Sequence, residues 1–359
     1  MVCVLKVVMI GADRSVHGGV SAVVNNYYKE GLDKKINLLY IGTMVDGSKF
    51  RKLLRAFYSY LHFLTALPKM DILHVNMAAD ASFYRKKVFI DTAALFHKKI
   101  LIHEHGGDFQ GFYYNKSTEK GRKIIRKTLN KAQIFVVLSQ TWADFFKPIV
   151  NNEKIIILEN AVPIPPALKT SYDDHNLLFL GRLCKEKGIM ELLDAISIAS
   201  QKYPDIRLYL GGIWEDDDLK NKAAALKKHV KYLGWIDDKK KERCMEKCSV
   251  FVLPTYFEGQ PISLLEAMAK GMTVVSTEVG GIPQIVTTGQ DGVLIPPKDT
   301  QALAEGICEL LDDADTKKRL GINARARATQ SYNMRERVNE LVAIYEKMMQ
   351  GDNYEETKL

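Results

Sequence analysis

Phe257-Glu258-Gly259-Gln260-Pro261-Ile262-Ser263-Leu264-Leu265-Glu266-Ala267-Met268-Ala269 follows the apolar run Val250-Leu253 and a Pro254-Thr255-Tyr256 turn. A strand, a glycine turn and a helix in that order outline an anion site in a parallel α/β sheet. Pro261 suits the first helical position, so the backbone N–H groups near Ile262, Ser263 and Leu264 would face a bound anion with the positive end of the helix dipole behind them. A diphosphate fits such a site. On this reading Glu266 falls in the first helical turn, where its carboxylate can accept two hydrogen bonds from a vicinal diol such as a ribose. Glu258 precedes the helix on the same side, so one carboxylate would hold a ribose and the other a sugar.

Upstream, Leu180-Gly181-Arg182-Leu183-Cys184-Lys185-Glu186-Lys187-Gly188 lies just past a second apolar run, Leu177-Leu180, and before a helix starting near Ile189. Arg182 and Lys187 therefore sit at the C-terminal end of a parallel strand, the edge where open α/β sheets bind ligands. A guanidinium and an ammonium placed there neutralise charge building on a departing diphosphate. Taken alone, two cations in a loop are more often solvated; beside the glutamate motif they read as a site.

Both motifs belong to a longer rhythm. Short apolar, often β-branched runs at Val7-Ile10, Asn37-Ile41, Ile72-Val75, Ile100-Ile102, Ile134-Leu138 and Ile155-Leu158 alternate with amphipathic stretches. A second series follows at Leu177-Leu180, Arg207-Leu210, Val230-Leu233, Val250-Leu253, Thr273-Ser276 and Gly292-Ile295. Each series predicts repeated βαβ units and a parallel sheet. Between them Asn160-Ala161-Val162-Pro163-Ile164-Pro165-Pro166 withholds backbone donors and stops helix or central strand, which marks a linker. The expected division is an N-terminal domain over 1–165, a C-terminal domain over 166–333, and a C-terminal helix within 334–359 whose docking is not set by periodicity, with packing back on the N-terminal domain as the expectation. The tail after Gly351 is polar and expected to fray.

At 359 residues and 47% hydrophobic, the chain can fill two cores more readily than one. No stretch approaches the roughly 20 uncharged apolar residues that cross a bilayer. The apolar start, Met1-Ile10, is short and carries Lys6, so it reads as a first strand and not as a secretion signal. The expected location is the cytoplasm. Cys3, Cys184, Cys244, Cys248 and Cys308 are scattered and read as reduced thiols. Cys244 and Cys248 lie one helical turn apart, but no further ligand completes a metal site. The net charge of +8 favours anionic partners without choosing among them, and no nucleic-acid motif accompanies it. Lys49-Phe50-Arg51-Lys52-Leu53-Leu54-Arg55-Ala56-Phe57-Tyr58, continuing to Leu64, sets cations beside aromatic and aliphatic residues. It reads equally as a membrane-surface helix or as a core-facing helix with a solvated cationic side. Ser82-Phe83-Tyr84-Arg85-Lys86-Lys87 reads either as part of an acceptor surface or as an ordinary helix start.

The two motifs, in this order and separation, resemble those of the retaining GT-B glycosyltransferases of family 4, the glycosyl transferases group 1, of the kind that build bacterial surface polysaccharides. The resemblance extends over nearly the whole chain. It implies two Rossmann-like domains whose parallel sheets face each other across a cleft, with Arg182 and Lys187 binding the donor diphosphate. Gly18-Gly19-Val20 looks like the family's glycine turn, where backbone approaches the donor, although a lone Gly-Gly is also an ordinary strand-to-helix turn. His103-Glu104-His105-Gly106-Gly107-Asp108 ends the fourth strand, and His105-Gly106 matches the family's histidine beside the reacting sugar; His103 is expected to point to the opposite face. Glu159-Asn160-Ala161-Val162 is similar to the family's Asn-Gly-Val at the linker, with Ala161 in place of the usual glycine. Leu233-Gly234-Trp235-Ile236 resembles the loop that reads the nucleotide base. Gly280-Gly281-Ile282-Pro283 and Asp291-Gly292-Val293-Leu294 match segments that close the domain. Gln260 takes a position often aromatic in the family, next to the transferred sugar.

The implied reaction is transfer of a hexosyl unit from a nucleoside diphosphate sugar, uridine by default, to a hydroxyl with retained anomeric configuration. The implied catalytic set is His105, Arg182, Lys187 and Glu258. The donor-binding set is Gly18, Gly19, Arg182, Lys187, Ile236, Glu258, Gly259, Gln260, Pro261, Ile262 and Glu266. No cofactor or metal is required if these cations and the helix dipole stabilise the leaving group, and Asp216-Asp217-Asp218 reads as solvated loop. The acceptor expected is a glycan or a polyprenyl-diphosphate-linked glycan met at an anionic membrane face. A sugar-nucleotide epimerase and a non-catalytic sugar-nucleotide-binding protein stand as alternatives. A dinucleotide oxidoreductase is disfavoured, since Gly11-Ala12-Asp13-Arg14 lacks the glycine spacing that class needs.

Overall fold

The computed structural model describes residues 5–166 and 171–350. Cys3 and the tail after Gly351 lie outside the described residues. The chain divides into two compact units, with breaks between Ala161 and Val162 and between Asn333 and Met334, so that the last described helix belongs to the N-terminal unit.

The N-terminal unit is built on β1 (Lys6–Gly11), β2 (Asn37–Gly42), β3 (Ile72–Met77), β4 (Lys99–Glu104), β5 (Ile134–Val137) and β6 (Ile155–Ile157). All pair in parallel in the order β2-β1-β3-β4-β5-β6. Every residue of β3 and of β5 is buried, as expected where helices cover both faces of a parallel sheet. One face carries the main apolar cluster, including Phe63, Phe83, Phe89, Phe109, Phe135 and Phe146. The helix Met334–Gln350 buries Met334, Val338, Leu341, Ile344, Tyr345 and Met348 in the same unit. Tyr345 Oη meets His74 Nδ1 of β3 at 2.5 Å, and Lys99 of β4 donates to the Met348 carbonyl at the helix end.

The C-terminal unit repeats the plan with β7 (Asn176–Leu180), β8 (Arg207–Gly211), β9 (Val230–Gly234), β10 (Val250–Leu253), β11 (Thr273–Thr277) and β12 (Val293–Ile295). Their order is β12-β11-β10-β7-β8-β9, again all parallel. This is the doubly wound dinucleotide-fold order, while the N-terminal order is the flavodoxin-like one. In each sheet the winding reverses once, between β7 and β10 here and between β1 and β3 in the other unit. Ligands of open α/β sheets bind where that reversal leaves a crevice at the strand carboxyl ends.

All twelve strands fall where the apolar runs place them. The segment Asp216-Asp217-Asp218 departs from the expected loop. Asp216 caps the helix Asp217–Ala225, its carboxylate accepting from the N–H groups of Asp218 and Leu219. A short acidic side chain there satisfies N–H groups that a helix start leaves open and complements the dipole.

Candidate functional site

In the C-terminal unit the loops after β7 and β10, at the reversal, are stitched together by their backbones. Tyr256 N–H donates to the Glu186 carbonyl at 2.9 Å, and Thr255 Oγ1 donates to the same oxygen at 3.2 Å. Gly188 makes the approach possible. Its φ is +67°, and a Cβ on it would lie 1.9 Å from the Pro254 carbonyl oxygen. On the other side the turn after β11 presses on the same loop: Gly280 has φ +56°, and a Cβ there would sit 1.8 Å from the Glu258 carbonyl oxygen.

This stitching brings Lys187 and Glu258 together, 71 residues apart in sequence, in an ion pair whose two side chains are only 16% and 18% exposed. Arg182 lies further out, paired with Glu215 at 2.9 Å with both groups open to solvent. Glu215 is delivered by backbone: Leu183 N–H donates to the Ile213 carbonyl at 2.9 Å and Glu215 N–H to the Leu183 carbonyl at 3.1 Å. Lys185 meets Asp216 at 3.3 Å in the same pair of loops. Gly259, Gln260, Pro261 and Ile262 are buried behind the Glu258 turn. Ile236, just beyond β9, is half buried against Gly211 at the end of β8.

Two details differ from expectation. The helix runs Ile262–Lys270 with Pro261 at its N-cap, φ −74° and ψ 118°, and not at its first helical position. The pyrrolidine ring fixes φ alone; ψ is extended, so the Pro261 carbonyl opens the helix by accepting from Leu265 N–H at 3.2 Å. Glu266 is consequently in the second turn, on the same face as Ile262 one turn earlier. It does not stand alone, for Lys241 of the helix Asp238–Lys247 pairs with its Oε1 at 2.6 Å. Burial alone would lower the Lys241 ammonium, but the Glu266 and Asp238 carboxylates outweigh it and hold it above the usual lysine value.

In the N-terminal unit Gly18 and Gly19 follow β1, with Gly18 extended at the N-cap of the helix Gly19–Lys29. Among the described residues, nothing beyond the glycines' own chain neighbours and the adjoining helix backbone lies within 4 Å of where a Cβ would be on either glycine. Internal packing therefore does not demand glycine there, and the free space suits a group brought from outside. His105 stands just past β4, its N–H bonded to the Met77 carbonyl at 3.0 Å. Its Nε2 meets Asn76 Oδ1 at 2.7 Å, and its buried Nδ1 has no hydrogen bond from the described residues. His103 does not point to the opposite face: its ring stacks on that of His105 at 4.1 Å. Residues two apart on a strand share a face, and the strand direction carries into His105. Burial holds His74 and His105 at about 3 and His103 well below the ordinary imidazole value, so all three rings are neutral. Beside them Glu104 is pushed well above the carboxylate range by burial while its Oε2 accepts from Gly106 N–H at 2.7 Å. Buried Lys86, bonded to Ser82 Oγ at 2.7 Å, is drawn down to about 7, chiefly by burial.

Asn76, His74, Lys241 and Glu215 were not reached from the sequence. His74 and Asn76 had a legible signal, two polar residues two apart in an otherwise apolar strand. Lys241 sits in a run of three lysines with nothing to single it out, and the Glu215 pairing depends on a loop contact across β7 and β8.

Residues 164–327 match the family described as Glycosyl transferases group 1. A phosphatidyl-myo-inositol mannosyltransferase of Mycobacterium tuberculosis is 33% identical over 176 residues, 47% of this chain and 46% of that protein. The chain thus spans about half the length of that relative. An uncharacterized glycosyltransferase of Methanocaldococcus jannaschii is 26% identical over 73% of this chain and 71% of its own length. Among solved structures, a sucrose-phosphate synthase of Thermosynechococcus elongatus superposes with a TM-score of 0.79 at 18% identity, over 97% of this chain and 100% of that one. Anabaena HepE in complex with UDP gives 0.74 at 17% identity, over 96% and 100%. Residues 164–327 are thus similar to the glycosyl transferases group 1, and the chain has the GT-B fold.

Proposed function

We propose that the protein is a retaining hexosyltransferase that moves a sugar from a nucleoside diphosphate, UDP in the first instance, to a glycan or lipid-linked glycan acceptor. The observation that carries the reading is the Lys187–Glu258 pair at the sheet reversal, next to the N-terminus of the helix Ile262–Lys270. A diphosphate entering there meets an ammonium, a dipole end and, further out, the Arg182 guanidinium, groups that stabilise the charge of a leaving diphosphate. Displaced from Lys187, the Glu258 carboxylate becomes an acceptor for sugar hydroxyls, and Glu266 serves the ribose. No metal is needed in this scheme. UDP as the nucleotide is supported by the HepE complex and by a pneumococcal O-GlcNAc transferase bound to UDP and GlcNAc, both with this fold. A lipid-borne acceptor is supported by the mycobacterial relative, a phosphatidyl-myo-inositol mannosyltransferase.

The setting proposed is bacterial surface-polysaccharide assembly at the inner face of the plasma membrane. No helix among the described residues is long and apolar enough to cross a membrane. The helix Lys49–Ala66 instead leaves Phe50, Leu53, Phe57 and Tyr58 each more than half exposed, which supports lying on a surface.

The test is calorimetric titration with UDP and GDP at matched ionic strength, on wild type, Lys187→Ala and Glu266→Ala. Binding of one nucleotide, weakened about tenfold or more by each change, supports the donor site; binding of neither removes it. Transfer from the matching sugar nucleotide should then survive EDTA, and its loss with rescue by Mn²⁺ would sink the metal-free scheme.

A further inference from the structure

Asn76 is fully buried at the end of β3, the strand between β1 and β4 at the sheet reversal. Its side chain spans both neighbours. Nδ2 donates to the Ile10 carbonyl of β1 at 3.2 Å, and Oδ1 meets His105 Nε2 past β4 at 2.7 Å. The first bond settles which way the amide faces, because only the NH₂ end can donate to a carbonyl. The oxygen is then left for His105, and an oxygen can only accept. The ring must present Nε2–H, which leaves Nδ1 as a lone pair with no partner among the described residues. The stacked His103 ring closes one face of the imidazole and restricts its rotation. The titratable groups around it are His74 and His103 on the sheet, Glu104 next to it and Lys86 on the helix Ala81–Leu95.

We propose that Asn76 is the positioning residue for His105: it holds the imidazole as the neutral Nε2–H tautomer, so that Nδ1 is kept as a hydrogen-bond acceptor for a substrate hydroxyl. A buried acceptor without a partner is unfavourable unless a ligand supplies the donor. A ring held this way cannot act as a cation or a proton donor to the departing group; its service is to orient a hydroxyl. The link to substrate rests on the transferase reading above, whereas the link between Asn76 and the tautomer does not.

The experiment uses the full chain labelled with ¹⁵N-histidine, with His105 assigned by the resonances lost in His105→Gln. Wild type should show a protonated Nε2 and an unprotonated Nδ1 at pH 7, unchanged down to pH 5. An Nδ1–H tautomer, or an imidazolium by pH 6, overturns the proposal without any variant having to fold. In Asn76→Leu the single tautomer should give way to a mixture, and its persistence would count against Asn76. In Asn76→Asp the acceptor is retained, and the Nε2–H form should return with a His105 titration moved upward by the adjacent carboxylate. In the transfer assay Asn76→Leu should lower kcat tenfold or more with donor KM within about twofold, and Asn76→Asp should recover part of it. Unchanged kcat in Asn76→Leu removes the catalytic consequence. Should wild type transfer nothing while the tautomer behaves as stated, the transferase reading fails and the Asn76 assignment stands.

Discussion

Folding holds His74 as a neutral ring, and acid should expose that. Its folded value near 3 lies below the free value of 6.5, so between those two values the unfolded chain binds the extra proton. The stability it carries is complete above pH 6.5 and is lost as pH falls toward 3, by on the order of 2 kcal/mol at pH 5. With Trp142 as the sole tryptophan, after Trp214→Phe and Trp235→Phe, urea unfolding at pH 7.5 and 5.0 should show a loss that contains this share beside those of His103 and His105. His74→Gln should lose less by roughly 1–2 kcal/mol, and an equal loss would show that His74 is not the group responsible. Lys241 offers a second test at this scale. If its ammonium holds the Glu266 carboxylate in place, Lys241→Met should weaken UDP binding about threefold to tenfold, while Lys240→Met, one residue away and exposed, should not. Equal affinities for the two would remove Lys241 from the site. Sequence reading reached residues whose chemistry is local, such as the cations after β7 and the glutamates around the helix start. It missed residues defined by a distant partner. Tyr345 finds His74 across 271 positions, and no periodicity carries that information.

At the scale of elements, apolar runs bounded by turn residues located all twelve strands because a parallel strand covered on both faces is predominantly apolar. Boundaries were less legible. Pro261 satisfies the φ of either the N-cap or the first helical position, and only ψ distinguishes them. The turn at Gly188 invites a direct comparison. Gly188 and Gly234 share left-handed backbone, φ +67° and +70°, but only Gly188 has an atom in the way. Gly234→Ala should cost about 1–2 kcal/mol for backbone strain alone. Gly188→Ala should cost more and also weaken UDP binding, since moving Pro254 away disturbs the loop that carries Glu258. Equal effects on stability and no effect on binding would mean the two loops are not mechanically joined. The helix Lys49–Ala66 was ambiguous from composition, and its exposed apolar residues now distinguish its two sides. Arg55 is engaged, however, donating to the Gly42 carbonyl at 2.9 Å and to Asp13 at 2.6 Å. Arg51→Glu with Lys52→Glu, sparing Arg55, should release the protein from vesicles containing phosphatidylglycerol and leave UDP affinity unchanged. Undiminished vesicle binding would refute the membrane role of this helix.

For the molecule as a whole, the break points at 161/162 and 333/334 mean that one unit is continuous in sequence and the other is not. Removing residues 334–359 should strip Tyr345, Leu341 and Val338 from the N-terminal core. The Trp142-reported transition should fall by several kcal/mol, because large core side chains are worth roughly 2–5 kcal/mol each, while the C-terminal unit still binds UDP. An unchanged Trp142 transition would show that the helix is dispensable. The same arrangement orders events during synthesis. On a ribosome the first 161 residues emerge early yet lack the helix that covers His74, which arrives only after the whole C-terminal unit has been made, on the order of 10–40 s later at ordinary elongation rates. A nascent chain stalled before residue 334 should carry a protease-resistant C-terminal unit beside an N-terminal unit that is still open to cleavage. The half made first is thus completed only after the other, and its sheet stays uncovered until the helix Met334–Gln350 arrives.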